Sequence, residues 1–186
     1  MLVKYTTEPT LDDVLSVADL KTFCRVSGSS EDTLIASFRD AAIGYVEAAC
    51  NVRIGDVTAE GYMDDFLPTR FPVGPVNSIT SIHYRNESNV LTLLPTSNYF
   101  FEIDGSAGRI KFYNYPSLYS YAIFWGKGTF DVGYAEADVP EAMLQAVRIL
   151  VAHFYERREA AVVGKTVTDV PYSVDALLSK FRVLWW

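Results

Sequence analysis

The residue types able to do chemistry are few and scattered in this 186-residue chain. There are two histidines, His83 and His153. His153 and Glu156 stand three apart in a helix-patterned stretch and could share a face, but His-x-x-Glu offers two metal ligands where a structural site needs four. No metal site is expected there, and an interface or satisfied histidine is the better account. His83 sits between Ile82 and Tyr84 in a strand-like run, so alternation turns its side chain outward. Asp64 and Asp65 could form a carboxylate pair. Neighbours on a strand point to opposite faces, so solvent exposure is the simpler account. Gly126-Lys-Gly-Thr129 lacks the spacing and the following helix of a phosphate loop and reads as a hairpin turn. Arg157-Arg158 is too short for a nucleic-acid patch. Cys24 and Cys50 fall on predicted helices with no CxxC or Cys/His cluster, which predicts reduced thiols serving as small core residues in a protein made in the cytoplasm. The sequence therefore offers no catalytic residue, no metal and no cofactor, and the chain is not expected to be an enzyme.

The elements that would position any site follow from periodicity. Ser16 with Asp19 resembles a capping box opening a helix near 17–25, with Val17, Leu20 and Cys24 on one face and Gly28 in the turn beyond it. Ser30, Glu31 and Asp32 suit the start of a second helix over 31–50. Its apolar stripe is Leu34, Ile35, Phe38, Ala41, Ala42, Tyr45, Val46 and Ala49, and the alanines would let another helix approach. Asp138 as cap and Pro140 in the first turn predict a third helix over 139–159 with Met143, Leu144, Val147, Leu150, Val151, Phe154 and Tyr155 apolar. Ser173 would cap a last helix, 173–182, carrying Ala176, Leu177, Leu178 and Phe181.

Between the second and third helices the texture changes to Val, Ile, Thr, Tyr and Phe broken by Gly, Pro, Asn and Asp. Strands are predicted at 58–65, 79–84, 90–93, 99–103, 109–113, 121–125 and 129–134. Hairpin turns fall at 86–89 and 104–108. Pro68, Pro72 and Pro75 mark an extended connector. The fold class is α+β: a small helical bundle with an inserted antiparallel β-module. The divisions are N-terminal helices 1–54, β-module 55–137, C-terminal helices 138–182 and a tail 183–186.

Charge bounds the partners. The net charge is −7, and residues 1–65 carry twelve acids against five bases, while the rest is balanced. An acidic surface repels phosphate, which argues against tight non-specific nucleic-acid binding; solubility alone would also explain it. No apolar run reaches the length of a membrane span, and no signal-peptide core opens the chain.

Aromatics make up 14% of the chain, and their densest run is 113–125. Tyr115, Tyr119, Tyr121, Phe124 and Trp125 could form a subunit contact, since Tyr and Trp concentrate in interface cores. A glycan platform, or a strand pair burying its own rings, would use the same residues. Val183-Leu-Trp-Trp186 is a second apolar signal, because two tryptophans near a chain end are costly to leave in water.

The order of motifs carries a resemblance. Val14-Leu-Ser-Val-Ala-Asp-Leu-Lys-Thr-Phe-Cys-Arg-Val26 resembles the opening helix of head–tail connector (adaptor) proteins of tailed phages. Ser30-Glu-Asp-Thr-Leu-Ile35 resembles the start of their second helix, and 71–84 is similar to their proline-rich entry into the β-region. Phe130-Asp-Val-Gly-Tyr134, 139–147 and 150–159 follow in the family's order. Val170-Pro-Tyr-Ser-Val-Asp-Ala-Leu-Leu178 with Arg182 looks like its closing helix. The resemblance covers about residues 14–182. The long aromatic segment and the extension past Arg182 depart from it.

This resemblance implies a structural virion protein located at the neck: a homo-oligomeric ring of about twelve copies under the portal protein. The ring would extend the channel through which packaged DNA passes without sequence-specific binding. It would also offer a docking platform to the next tail-side component, the stopper. Arg182, Val183, Leu184, Trp185 and Trp186 are then expected to bind the portal. Asp12, Asp13, Glu31, Asp32, Asp64 and Asp65 are expected at the channel, where like charge keeps DNA from sticking. Another neck component (a stopper or tail-completion protein) is the alternative, and a glycan-binding module a more distant one.

Overall fold

A computed structural model of the protein describes residues 1–65, 67, 69–105, 107–114, 116–157 and 172–182. The chain divides into two compact units. One takes in Met1–Pro9 and Asn51–Tyr134 and is β; the other takes in Thr10–Cys50 and Ala135–Arg182 and is helical. The fold is α+β, as the periodicity predicts.

The β unit holds two antiparallel sheets. The larger has the order β1 (Leu2–Tyr5), β2 (Val57–Met63), β8 (Gly126–Val132), β4 (Val76–Arg85), β5 (Leu91–Leu93); the smaller has β3 (Thr69–Arg70), β7 (Ala107–Phe112), β6 (Tyr99–Asp104). β2 and β8 alternate strictly between buried and half-buried residues, the period-2 signature of a sheet covered on one face. Val57, Ala59, Met63, Phe71, Ile82, Ile110, Phe112, Trp125, Phe130 and Val132 form one buried cluster drawn from both sheets. Gly61 and Gly128 face each other across β2 and β8. A Cβ at Gly128 would lie 2.5 Å from the Phe130 ring, and one at Gly61 would lie 3.0 Å from the Phe71 ring. The two glycines thus clear the floor on which Phe71 and Phe130 pack, with ring centroids 4.3 Å apart.

Four sequence expectations need correction here. Gly126-Lys-Gly-Thr129 is the start of a central strand, not a hairpin turn; its Gly128 leaves room for the Phe130 ring. Residues 121–125 are not a strand but an irregular segment leading into β8. Two strands were missed: β1, in a stretch expected to belong with the helices, and the two-residue β3 inside the proline-rich connector, at the edge of its sheet. Both are too short for periodicity to register. The turns at 86–89 and 104–108 do connect paired strands, β4 to β5 and β6 to β7.

The helical unit contains α1 (Leu11–Val14), α2 (Val17–Cys24), α3 (Asp32–Cys50), α4 (Glu141–Glu156) and α5 (Tyr172–Leu178). The Ser16 hydroxyl accepts the Asp19 backbone N–H at 3.1 Å and donates to the Asp19 carboxylate at 2.7 Å. Ser16 is the N-cap, worth about 1 kcal/mol, and the carboxylate meets its hydroxyl in place of the backbone N–H of a full capping box. α2 ends with Arg25 in the left-handed conformation, φ 58°, three residues before Gly28. α4 is entered through Pro140, not an Asp138 cap: residues 136–138 form a separate 3-10 turn. Ser173 lies inside α5 and does not cap it.

α3 packs on α2, α4 and α5, and α4 on α2 and α5. The buried face of α3 is Ile35, Arg39, Ala42, Ile43, Val46 and Cys50. It is rotated from the predicted stripe, leaving Ala41 exposed. On α5, Val174 and Leu178 face inward and Ala176 is exposed. Met143, Ala146, Val147, Leu150 and Val151 supply the face of α4.

Candidate assembly interface

The groups with chemical potential are not brought together. Among the described residues no group of three or more His, Cys, Asp or Glu side chains could hold a metal ion. His83 is half-buried beside Ser81, with 3.5 Å between Nδ1 and Oγ. His153 lies edge-on to Phe154, ring centroids 6.2 Å apart, and Glu156 is exposed. Asp64 and Asp65 lie past the end of β2 and are exposed; Asp65 accepts the Leu67 N–H at 3.1 Å. Cys50 is fully buried and Cys24 partly so, both as free thiols. Burial raises both thiols above their ordinary pKa.

Three of the six acids singled out from sequence hold the helical unit together. Asp12 accepts the Arg39 guanidinium at 2.6 Å, Asp32 pairs with Lys21 at 2.6 Å, and Glu31 accepts the Tyr155 hydroxyl at 2.5 Å. Asp13 is exposed on α1. Arg182 pairs with Asp175 on α5 at 2.8 Å. Tyr115 and Val183, Leu184, Trp185 and Trp186 lie outside the described residues.

The aromatic segment gives the β unit its most unusual surface. It is pinned at both ends by backbone bonds: Tyr119 N–H donates to the Arg85 carbonyl at 3.2 Å, and Trp125 N–H to the Met63 carbonyl at 3.1 Å. Trp125 points inward. It is 4% exposed and meets Phe112 edge-on at 5.4 Å, so of the four expected contact residues among the described ones it alone is out of a partner's reach. Phe124 packs on Tyr62 at 5.6 Å, and Tyr119 on Tyr121 at 5.8 Å. Between these anchors Tyr121 and Ile123 project, 86% and 84% exposed. With Tyr62, Arg85, Leu91 and Lys127 they line a pocket of about 400 Å³.

The floor of this surface is the outward face of the larger sheet, with Lys127 and Glu60 2.9 Å apart. The Lys127 ammonium first, and the Tyr62 hydroxyl second, hold the Glu60 carboxyl below the usual range by hydrogen bonding to it. The β5 edge beside the pocket exposes Leu91 and Leu93. The signal of these two leucines in the sequence is the alternation Leu-Thr-Leu, which puts two exposed apolar positions in a very short strand. Such an apolar, tyrosine-rich, half-open surface has the composition of a protein contact. Among the described residues, no helix is long and apolar enough to cross a membrane.

No protein-family model matches the sequence, and no curated protein matches it. Solved structures do. The chain is similar to a chain in the neck of the empty gene transfer agent particle, computed with C6 symmetry, with a TM-score of 0.80 and 20% identity, over 100% of this chain and 97% of that one. It is similar to a chain in the virion of the native gene transfer agent particle, with a TM-score of 0.79 and 20% identity over the same shares. It is likewise similar to a chain in the neck of the native particle, computed with C12 symmetry, with a TM-score of 0.77 and 19% identity over 100% and 97%. At these identities the likeness is one of fold, and it takes in both the β unit and the helical unit.

Proposed function

We propose that this chain is a structural component of the neck of a tailed-phage or phage-like particle and, within the neck, the head–tail adaptor. In this reading about twelve copies form a ring under the portal protein, extend the DNA channel and present a platform to the stopper on the tail side. The protein is made in the host cytoplasm and ends in the virion. The observation that carries this reading is the end-to-end likeness to chains of gene transfer agent neck structures with six- and twelve-fold symmetry. The order of sequence motifs supports it independently. The scattered histidines and acids leave nothing on the described surface that argues for catalysis.

The division of labour follows from the residues. Tyr119, Tyr121 and Phe124 belong to a contact surface. Val183-Leu-Trp-Trp186, next to Arg182, is the anchor for the portal. Asp13, Asp64 and Asp65, exposed and with no ion pair among the described residues, are the acids best placed to face DNA; Asp12, Glu31 and Asp32 are committed to the helical unit. The helices disfavour the stopper alternative, since stoppers resemble small β-barrels. A glycan platform loses its strongest stacking ring, because Trp125 is in the core.

Co-expression with the portal of the same genome, followed by electron microscopy, tests the proposal. The expected result is a ring of this chain coaxial with the portal. Purified portal that stays bare at saturating concentrations of this protein would remove the adaptor reading.

A further inference from the structure

We propose that neighbouring copies of this chain join edge to edge through the larger sheet, the outer edge of β5 in one copy meeting the outer edge of β1 in the next. The inference rests on the ring reading above and names the contact that would build it.

The first observation is a row of side chains in register across the outward face: Leu2 opposite Tyr62, Tyr62 opposite Lys127, Lys127 opposite His83, His83 opposite Leu93. The row begins and ends on an exposed leucine; Leu2 and Leu93 are each 58% exposed. An edge strand in water is normally protected by charge, proline or a bulge. Here both edge strands are short and β1 carries one exposed charge, Lys4, yet the two edges also carry apolar residues on the same face and in the same row.

The second observation is backbone polarity. Leu94 N–H donates to the Ile82 carbonyl at 2.8 Å, and Asn86 N–H to the Val90 carbonyl at 3.0 Å. By alternation in an antiparallel ladder, Leu91 and Leu93 turn their N–H and C=O groups away from β4, toward the open side. On β1, Thr6 N–H donates to the Thr58 carbonyl at 2.9 Å, so Val3 turns its backbone groups away from β2.

The third is direction. β1 to β5 is four antiparallel steps, so β1 and β5 run the same way. A head-to-tail join is therefore a parallel pair that keeps the outward face continuous and sets Leu93 of one copy beside Leu2 of the next. Two different edges meeting make a heterologous contact, the type that closes into rings. A two-fold pairing of β5 with β5 would instead stop at a dimer and leave Leu2 uncovered. Addition of a strand to a sheet edge is an established way for chains to associate, with backbone bonds supplying affinity and side chains register.

The test is disulfide trapping in the full chain carrying Leu2→Cys and Leu93→Cys together, with each single variant as control for Cys24 and Cys50. Under mild oxidation at millimolar protein, or with portal present, the double variant gives a ladder of linked multimers on a non-reducing gel, and the single variants give at most dimers. A second measurement uses Leu93→Lys, which puts a charge on the edge without touching the β4 ladder; it weakens self-association at least tenfold by sedimentation with an unchanged Tm. Rings docked on the portal without a ladder would overturn the edge contact while leaving the neck reading intact. Dimers alone from the double variant would overturn the head-to-tail geometry. No ladder, no effect of Leu93→Lys and no docking would end both.

Discussion

Arg39 in the middle of α3 reaches Asp12 in α1, Nη1 to Oδ1 at 2.6 Å, and Arg39 as a residue is 7% exposed. The same group donates to the Leu15 carbonyl at 3.3 Å and to Asp40 at 3.0 Å, and Asp12 also accepts the Val17 N–H at 3.2 Å. One buried cation thereby fixes α1, the start of α2 and α3 to each other.

The two partners should not weigh equally. Arg39→Ala removes hydrogen bonds to a charged group and leaves the Leu15 carbonyl unpaired, at a cost of about 2–3 kcal/mol. Asp12→Ala leaves Arg39 its other two acceptors, and Asp12 is largely in water, so the cost is about 1 kcal/mol or less. Urea unfolding of both variants checks the ranking. Equal losses would mean that Asp12 alone stabilises the charge.

The aromatic segment should split into a folding half and an assembly half. Trp125→Ala opens the β core and costs about 3–5 kcal/mol. Ile123→Ser changes an exposed tip, shifts stability by less than about 0.5 kcal/mol, and lowers assembly on the portal. Thermal melts paired with portal pull-down separate the two. An Ile123→Ser protein that docks normally would remove the loop tip from the contact surface.

Burial pushes the Cys50 thiol up, against a smaller lowering by Arg182. A folded pKa above the unfolded one means the neutral thiol is favoured in the native state. Its contribution is complete below the ordinary thiol pKa and is lost as pH rises through the raised folded value. Stability should therefore decline on the alkaline side, and Cys50→Ala should flatten that decline relative to its own neutral-pH value. Chemical unfolding across an alkaline pH series reads it, and identical slopes for both proteins would contradict it. Labelling of Cys50 by a thiol reagent at neutral pH should await unfolding.

A chain truncated after Arg182 should keep its melting temperature and lose docking to portal-bearing heads. The reason is the apolar surface of two tryptophans, each able to bury on the order of 200 Å², or about 5 kcal/mol per ring before ordering costs. Earlier melting with docking retained would instead assign the tail to the subunit's own core.

The sequence by itself determined the elements whose signal is local. The Ser16–Asp19 cap, the turns at 86–89 and 104–108, and the runs behind α3 and α4 each depend on residues within a turn or two, so spacing sufficed. It also determined the change from helix to strand texture and back, and hence the α+β class. Only the tertiary structure decided the rest. β1 and β3 are strands because of what they pair with, far away in sequence. Gly128 is explained by the Phe130 ring lying over it, not by a turn. The α3 face that is buried takes in Arg39, which meets Asp12 and the Leu15 carbonyl, contacts no helical period encodes. Trp125 and Ile123 are two residues apart and look alike in sequence as apolar candidates. One fills the core and the other stands in water, because the backbone bonds pinning the loop to Arg85 and Met63 set its direction. The leucines at the two sheet edges acquire meaning only once the strand order puts them in one row.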